Sequence, residues 1–437
     1  MLEKLKKLIN IDNPFRILYH KIRAIIANIY YGFPSKKMKI IWVTGTNGKT
    51  STCNIIAKWL IENWEKVFMF TTVNIIMWDK EIQNNTKMTS PDPFVLQKLF
   101  KQAKSMGIQK AIIETASHWI KFHRIWGINY DTVILTNITQ DHLDLHHTMK
   151  DYVNTKLQIF KKLITYIRKK WVKKTAIVNI DSEYSDLFKN ETFDSLYTYW
   201  KDSNANISIK NIKETLNWIE FNLRIPWADL NLKSKLRWEF NAYNISAAVS
   251  YFISEWIDKK KIPKLIESVV WIPGRLEEIE NIEWFKIFVD YAHTEDALKN
   301  VLNTLKPLVW KAKLITVFWA TWDRDKSKRI WMGQIVSEIS DKVILTQDDD
   351  YSEDTIDIIK DILPGIERKE WENFWVIPDR EEAIRTALIW AKPWDIILIA
   401  WKWDEHVMVT NSWAIEWHDK TKVLEILKAI DDNKIIK

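Results

Sequence analysis

The sequence predicts an α/β protein: a phosphate-loop domain on a mainly parallel sheet, followed by a second, Rossmann-like α/β domain. Three observations lead there. From Ile40 onward, short runs rich in Ile and Val alternate with segments of helical periodicity, the pattern of parallel strands covered by helices. The stretch Ile41–Thr52, IWVTGTNGKTST, sets a glycine-bearing turn between one such strand and one such helix. The alternation restarts near Pro273-Gly274-Arg275, which marks a domain boundary.

In chain order, residues 1–37 are basic and helical in pattern. Leu2, Leu5, Ile9, Ile22, Ile25, Ile26 and Ile29 carry the periodicity, and Pro14 and Pro34 punctuate it. This segment is too short for a domain of its own and is expected to pack on the domain after it. Residues 38–272 make the first domain, with strands expected at Ile40–Thr44, Lys66–Thr71, Lys110–Glu114, Thr132–Thr136 and Thr175–Asn179. Its helices are expected at Thr50–Glu62, Pro93–Met106, Met149–Phe160 and Asn241–Ile257. Residues 204–236 read as short antiparallel strands at a sheet edge. Residues 273–437 make the second domain, with strands at Phe285–Asp290, Leu314–Phe318, Lys342–Thr346 and Asp395–Ala400. Helices there are expected at Leu298–Lys306, Met332–Ile339, Thr355–Ile362 and Arg380–Ile389. A cleft between two such domains is the expected place for an active site.

Composition narrows the function classes. The 437 residues hold no long uncharged apolar run, so no transmembrane helix is expected. The start, MLEKLKKLINIDNPFR, lacks the apolar core and cleavage site of a secretory signal. A single cysteine, Cys53, excludes a disulfide framework and a thiolate-rich zinc site. A net charge of +7 over 64 basic and 57 acidic residues suits an anionic small molecule better than nucleic acid. The expectation is a cytoplasmic, monomeric enzyme acting on small molecules, with no nucleic-acid partner and no membrane insertion.

The chain holds 8 glycines and 26 tryptophans, and their combined share is near the ~7% that glycine alone usually takes. Position points the same way. Trp78 in MWDK, Trp200 before a polar loop, Trp394 in KPWD, and Trp401 and Trp403 around Lys402 occupy punctuation sites. Such sites favour a residue tolerant of positive φ, which tryptophan is not. We read these tryptophans as glycine positions, translated from a source in which UGA encodes glycine.

Gly45-x-x-Gly48-Lys49-Thr50 is a shortened phosphate loop, a tight turn whose backbone N–H groups face an anion at a helix N-terminus. Lys49 is placed to reach the terminal phosphates of a nucleotide, and the Thr50 hydroxyl to coordinate Mg²⁺. Glu114 ends a strand, where open α/β sheets hold ligands and metals, and is either a Mg²⁺ ligand or a cap for the next turn. His118, His123 and Arg124 come next; Arg124 either holds an anionic substrate group or pairs on the surface. His142, His146 and His147 put three of the chain's 9 histidines within six positions. Histidines among aspartates suggest zinc, yet His142 beside a phosphate loop suits a harder ion held by oxygens and one imidazole. By pattern alone, Lys156 on the following helix reads as a solvated lysine.

The combination of TGTNGKT, ETASH, HR, TNITQDHLDLH with a lysine fourteen residues past His142, FNAYN, PGRLE and DYAHTEDAL resembles the Mur ligase family. These are ATP-dependent amino-acid-adding enzymes of peptidoglycan precursor synthesis, and the muramoyl-tripeptide synthetase branch is the nearest. The resemblance runs from about residue 38 to residue 437. FWATWDRDKSKR and KPWDIILIAWKWDE resemble family stretches that have glycine where this chain has tryptophan.

The resemblance implies that Gly45, Thr46, Asn47, Gly48, Lys49, Thr50 and Ser51 bind ATP phosphates and Mg²⁺. Glu114 and His142 would complete metal binding. Lys156 would be the family's carbamylated lysine, which helps hold a second Mg²⁺. Asn137, Asn241, Arg275, Asp290, Tyr291 and His293 match residues around the adenine, ribose and γ-phosphate. Thr89, Ser90, Ser117 and Arg124 match muramoyl-peptide contacts, and Asp323, Arg324, Asp325 and Lys326 a substrate-facing loop of the C-terminal domain. The implied reaction passes the γ-phosphoryl of ATP to the acceptor's carboxylate, and the incoming amine attacks the resulting acyl phosphate. Lys49 and His142 would offset the developing charge, and domain closure would exclude water.

The chain departs from the family pattern in three places. The family's UDP-gripping domain has no counterpart ahead of the phosphate loop. Either residues 1–37 and the central domain hold the UDP, or the acceptor carries none. Diaminopimelate-adding members have Asp-Asn-Pro-Arg, whose arginine clamps a distal carboxylate; here the stretch is Asp348-Asp349-Asp350-Tyr351. The family's Gly-Lys-Gly-His-Glu becomes Trp401-Lys402-Trp403-Asp404-Glu405. A pocket containing Asp348, Asp349 and Glu405 alongside Lys402 is acidic, and favours L-lysine or a related diamino acid over a second carboxylate. Folylpolyglutamate synthase, which shares the ATP core, is the alternative, but ETASH, HR and DRDKSKR resemble the muramoyl enzymes more.

Overall fold

The computed structural model describes residues 13–84, 91–166, 168–170, 172–201, 204–215, 217–269, 272, 276–281, 284–292, 295–309, 311–319, 326–349, 353–402, 407–409 and 414–435. The chain divides into two compact units, Met1–Val270 and Trp271–Lys437.

The first unit is built on an 11-stranded sheet. Its strands are β1 (Lys39–Thr44), β2 (Val67–Phe70), β3 (Asn74–Met77), β4 (Lys80–Gln83), β5 (Lys110–Glu114) and β6 (Thr132–Leu135). They continue with β7 (Thr175–Asn179), β8 (Ser195–Trp200), β9 (Ile207–Glu214), β10 (Ile219–Ile225) and β11 (Ala228–Ser234). The order is β11-β10-β9-β8-β7-β6-β1-β5-β2-β3-β4, parallel from β9 to β2 and antiparallel at both edges. The central strands are continuous apolar runs because both faces are covered; β1 is buried from Ile40 to Thr44. Val43 pairs with Glu114 and Thr44 with Leu135, so the C-terminal ends of β1, β5 and β6 share one edge of the sheet.

The principal helices of this unit are α1 (Pro14–Tyr31), α2 (Lys49–Glu62), α3 (Pro93–Ser105), α4 (Ser117–Lys121), α5 (Met149–Thr165) and α6 (Glu239–Ser254). Asn13, Asp92 and Thr148 cap α1, α3 and α5 by accepting backbone N–H groups. The α2 helix is buried through most of its length and packs against α6, with the Trp59 and Phe252 rings 4.6 Å apart. The α1 helix lies on α3 and on the turn after α4, where Asn28 Nδ2 donates to Trp126 O at 2.6 Å.

The second unit has a six-stranded sheet in the order β12-β13-β17-β14-β15-β16. These are β12 (Glu277–Ile279), β13 (Lys286–Asp290), β14 (Leu314–Phe318), β15 (Lys342–Leu345), β16 (Phe374–Val376) and β17 (Ile396–Ala400), with only β12 antiparallel. Helices α7 (Glu295–Leu305), α8 (Ser327–Ile339), α9 (Thr355–Ile362), α10 (Arg380–Trp390) and α11 (Asp419–Ile435) connect and follow the strands. A fully buried bidentate pair between Arg380 and Asp419, at 2.8 and 2.6 Å, ties α10 to α11, and Arg380 also donates to Ala400 O at the end of β17.

The expected strands and helices are present within a few residues, and β9–β11 form the antiparallel edge expected from 204–236. The β3–β4 hairpin, β8, β12, β16 and α11 were not anticipated. Of these, β3, β4, β12 and β16 have only three or four residues, too few to display a period of two. The MWDK turn is the loop of the β3–β4 hairpin.

The tryptophans behave unlike tryptophans. Trp64, Trp78, Trp238, Trp256, Trp371, Trp394 and Trp401 have φ between 58° and 96°, the left-handed region. Trp42, Trp59, Trp119 and Trp319 are buried, and their indole nitrogens have no hydrogen-bond partner among the described residues. Each such orphaned donor costs about 1–3 kcal/mol, and each strained φ a similar amount.

Candidate active site

The end of β1 runs into a loop whose two glycines have no room for a side chain. A Cβ on Gly45 (φ 152°) would sit 1.8 Å from Thr136 Oγ1, and one on Gly48 (φ 79°) would sit 2.2 Å from Asn244 Oδ1. Asn137 shapes the turn from the end of β6. Its side-chain oxygen accepts the N–H groups of Thr46 and Asn47 at 3.1 and 2.8 Å, and its carbonyl accepts the Thr46 N–H at 3.0 Å. The N–H groups of Lys49, Thr50 and Ser51 then open the first turn of α2, where no intrahelical acceptor exists. Those are the donors the loop offers to an anion.

Glu114, at the end of β5, is nearly fully buried. It accepts the Thr50 hydroxyl at 2.8 Å, the Thr72 N–H at 3.0 Å and the Thr72 hydroxyl at 2.9 Å. A hydroxyl oxygen and a carboxylate are thus brought together at the start of α2, the oxygen donor set that suits Mg²⁺. Among the described residues, no group of three or more His, Cys, Asp and Glu side chains converges as a metal cluster.

Lys156 is not solvated. It is 1% exposed, and its Nζ donates to Gly45 O at 2.9 Å and lies 4.7 Å from the Tyr152 ring centre. Burial, and then the charge of Lys49, hold its amine well below the usual lysine range, against the attraction of Asp141. Lys49 itself curls back over its loop, donating to Gly45 O at 3.2 Å and Thr46 O at 2.7 Å. Tyr152, fully buried one helical turn before Lys156, places its hydroxyl 3.1 Å from Thr46 Oγ1.

The three clustered histidines do not converge. His142, at φ 54°, lies with its Nε2 3.3 Å from Asp141 Oδ2 and its ring 4.8 Å from that of His118. His146 is buried against Tyr152 and Thr155, and His147 is exposed. Ser117 begins α4 with a buried hydroxyl that has no partner among the described residues. Arg124 follows the end of α4, with its guanidinium over Phe122. Asn241, on α6, donates to Arg237 O at 2.7 Å and accepts from Asn244 at 3.0 Å.

In the second unit, Asp290 ends β13 and accepts the Leu276 N–H at 2.6 Å, with Tyr291 directly after it. Asp348 and Asp349 follow β15, and Lys402 follows β17. Lys402 is fully buried and pairs with both carboxylates, at 2.8 and 2.7 Å, while Asp349 also accepts the Val409 N–H at 2.6 Å. Of the residues expected to line an acidic pocket there, the two aspartates thus share one buried ammonium. Lys326 is exposed and pairs with Glu353 at 2.8 Å. Thr89, Ser90, Arg275, His293, Asp323, Arg324, Asp325 and Glu405 lie outside the described residues.

Sequence reasoning missed Asn244, Tyr152 and Thr72 as parts of the site. The first two had a signal. Asn244 is three residues past Asn241 and Tyr152 four before Lys156, so each shares a helix face with an identified residue. Thr72 had none.

Residues 43–252 match the family model for the Mur ligase middle domain, and residues 274–400 that for the Mur ligase glutamate ligase domain. The chain is 33% identical, over 94% of its length and 82% of the relative's, to the UDP-N-acetylmuramoyl-L-alanyl-D-glutamate–2,6-diaminopimelate ligase of Clostridium botulinum. It is 34% identical to the enzyme of that name from Geobacillus kaustophilus, over 94% and 84% of the two chains. A solved structure of a ligase of that name covers 90% of this chain and is covered to 79%, with a TM-score of 0.61 and 28% identity. A folylpolyglutamate synthase of Mycobacterium tuberculosis shares the fold, at 16% identity and a TM-score of 0.71 over 87% of this chain and 91% of that one.

Proposed function

The chain belongs to the Mur ligase family, and from that premise we propose that it is an ATP-dependent, ADP-forming amide ligase of peptidoglycan precursor synthesis. It adds a diamino acid, L-lysine or 2,6-diaminopimelate, to a UDP-N-acetylmuramoyl-dipeptide. The names of its relatives support this acceptor and 2,6-diaminopimelate. The lack of an arginine after Asp349 supports lysine. The observation that carries the reading is the convergence of Thr50, Glu114, Lys49 and buried Lys156 on one phosphate loop.

In this reading the N–H groups at the start of α2 receive the phosphates of ATP, while Asn137 holds the loop in shape. Lys49 exchanges its loop carbonyls for phosphoryl oxygens, where charge shifts during transfer. Thr50, Glu114, His142 and a carbamylated Lys156 would hold Mg²⁺, which when bound would supply positive charge against those oxygens. Only a neutral amine adds CO₂, and the burial that depresses Lys156 favours that form. The acceptor's carboxylate takes the γ-phosphoryl, and the amino group of the incoming amino acid displaces phosphate to form the amide. Ser117 and Arg124 are assigned to the acceptor on the resemblance. Asn241, Asp290, Tyr291 and Lys326 are assigned to nucleotide and substrate on the resemblance.

The test supplies the protein with Mg-ATP, the muramoyl-dipeptide nucleotide, and lysine and diaminopimelate in competition. ADP release should require both acceptor and amino acid, and the product mass identifies the residue added. ADP release with a folate and glutamate, and none with the muramoyl acceptor, would overturn the reading.

A further inference from the structure

The α1 helix is packed inside out. Its buried residues are the small Ala24, Ala27 and Asn28. Its large apolar ones, Phe15, Leu18, Ile22, Ile26, Ile29 and Tyr30, are 45–79% exposed. At 3.6 residues per turn those six fall within about 120° of arc, centred opposite Ala24. The face that holds α1 to the molecule is the other one, where Asn28 Nδ2 donates to Trp126 O and Ala24 O at 2.6 and 2.9 Å. Single exposed apolar side chains are ordinary, but a continuous stripe along a helix marks a surface that meets something. The α1 helix contains no tryptophan, so the stripe is the same whichever residue the source inserts at those codons.

Charge says what it meets. Residues 13–38 carry five Lys or Arg and no Asp or Glu, and α3 carries three Lys and no acidic residue. Phe94, Lys98 and Lys101 share one face of α3. That face lies beside the end of α1, with the Phe94 ring 6.4 Å from that of Tyr30 and Lys101 Nζ 5.7 Å from that of Tyr31. Lys98 and Lys101 are exposed there, as are Lys36 and Lys37 just after α1. Asp92, which caps α3, is engaged by Arg23 at 2.6 Å. We propose that this face of α1 rests on an anionic phospholipid surface. Apolar side chains and tyrosine rings enter the head-group boundary, and the flanking lysines meet lipid phosphates. No helix among the described residues is long and apolar enough to cross a membrane, so α1 lies in the surface. Pairing the stripe with a second copy would set cations against cations, with no carboxylate on α1 between them. The proposal goes beyond the ligase reading and does not rest on it.

The test sediments the full-length protein, as its source makes it, with lipid vesicles. Vesicles of phosphatidylcholine mixed with phosphatidylglycerol should bind it about tenfold more tightly than pure phosphatidylcholine, and added salt should weaken that binding. Ile22→Ser combined with Ile26→Ser should weaken it about tenfold, with ATP affinity unchanged, since both side chains are already exposed. Phe15→Ser, at the most exposed position of the stripe, should act in the same direction and serves if the double variant does not fold. Lys98→Gln combined with Lys101→Gln should weaken binding to the anionic vesicles alone. Absence of binding to anionic vesicles overturns the proposal, as does equal binding by wild type and the stripe variants. A dimer in sedimentation velocity that Ile22→Ser with Ile26→Ser dissolves, without vesicle binding, assigns the stripe to a second copy and overturns it too.

Discussion

Lys49 and Lys156 donate to the same backbone oxygen, that of Gly45, from two helices. Two ammonium groups on one carbonyl repel, and this repulsion adds to burial in pushing the Lys156 amine down. Lys49→Ala should cut kcat by roughly 10²–10³, because its charge acts where charge develops; unchanged turnover removes the phosphate-loop assignment. For Lys156 the sign runs through stability. Its folded-state value lies below its unfolded one, so the folded protein binds fewer protons and stability rises with pH up to the ordinary lysine range. Lys156→Met should therefore melt higher than wild type in bicarbonate-free buffer at pH 7, with the gap narrowing by pH 10, and should lack ligase activity. A gap that widens with pH would contradict the downward shift of the buried amine. Gly45, Gly48 and Lys49 were legible because the turn needs glycine and the phosphate needs a cation. The burial of Lys156 was not read from the pattern, although it stands four residues from both Tyr152 and Phe160, which are fully buried. Reading one residue type at a time hid that. The pairing of Asp348 and Asp349 with Lys402 was not legible, because it depends on how the ends of β15 and β17 lie relative to each other.

At the scale of elements, the positive-φ tryptophans sit where chain direction changes. Trp64 and Trp256 follow the C-termini of α2 and α6, Trp78 turns the β3–β4 hairpin, and Trp394 and Trp401 bracket β17. Helix C-termini and tight turns favour glycine at such positions because it has no Cβ to clash. Trp64 and Trp256 are 95% and 76% exposed, so replacing them removes little packing. Trp64→Gly and Trp256→Gly should each stabilise by ~1–3 kcal/mol, and Trp64→Ala by less, since alanine keeps the strain of a left-handed φ. Thermal melting of the three variants decides it, and an alanine variant as stable as the glycine one would mean that φ is not the cause. Most parallel strands and helices were legible from the alternation of short Ile- and Val-rich runs with segments of helical period, whereas β8 and α11 were not. The hairpin at the sheet edge was legible only through its turn.

Across the whole molecule these strains fall in both units, with Trp64, Trp78, Trp238 and Trp256 in the first and Trp371, Trp394 and Trp401 in the second. Sites far apart without shared partners add nearly independently. Seven left-handed tryptophans together cost on the order of 10 kcal/mol, as much as a typical domain's entire stability of about 5–15 kcal/mol. Four buried indole N–H groups without partners among the described residues add to that. A chain carrying tryptophan at all these positions should therefore be marginal or insoluble. The version with glycine at the seven positive-φ positions and at Trp42, Trp119 and Trp319 should melt well above it and bind ATP. Two measurements bear on this. Side-by-side melting and ATP titration compare the versions, and the intact mass of the protein isolated from its source reports which residue the ribosome inserts. Equal melting temperatures and equal ATP affinities, with a native mass that contains all 26 tryptophans, would establish them as genuine and end the glycine reading.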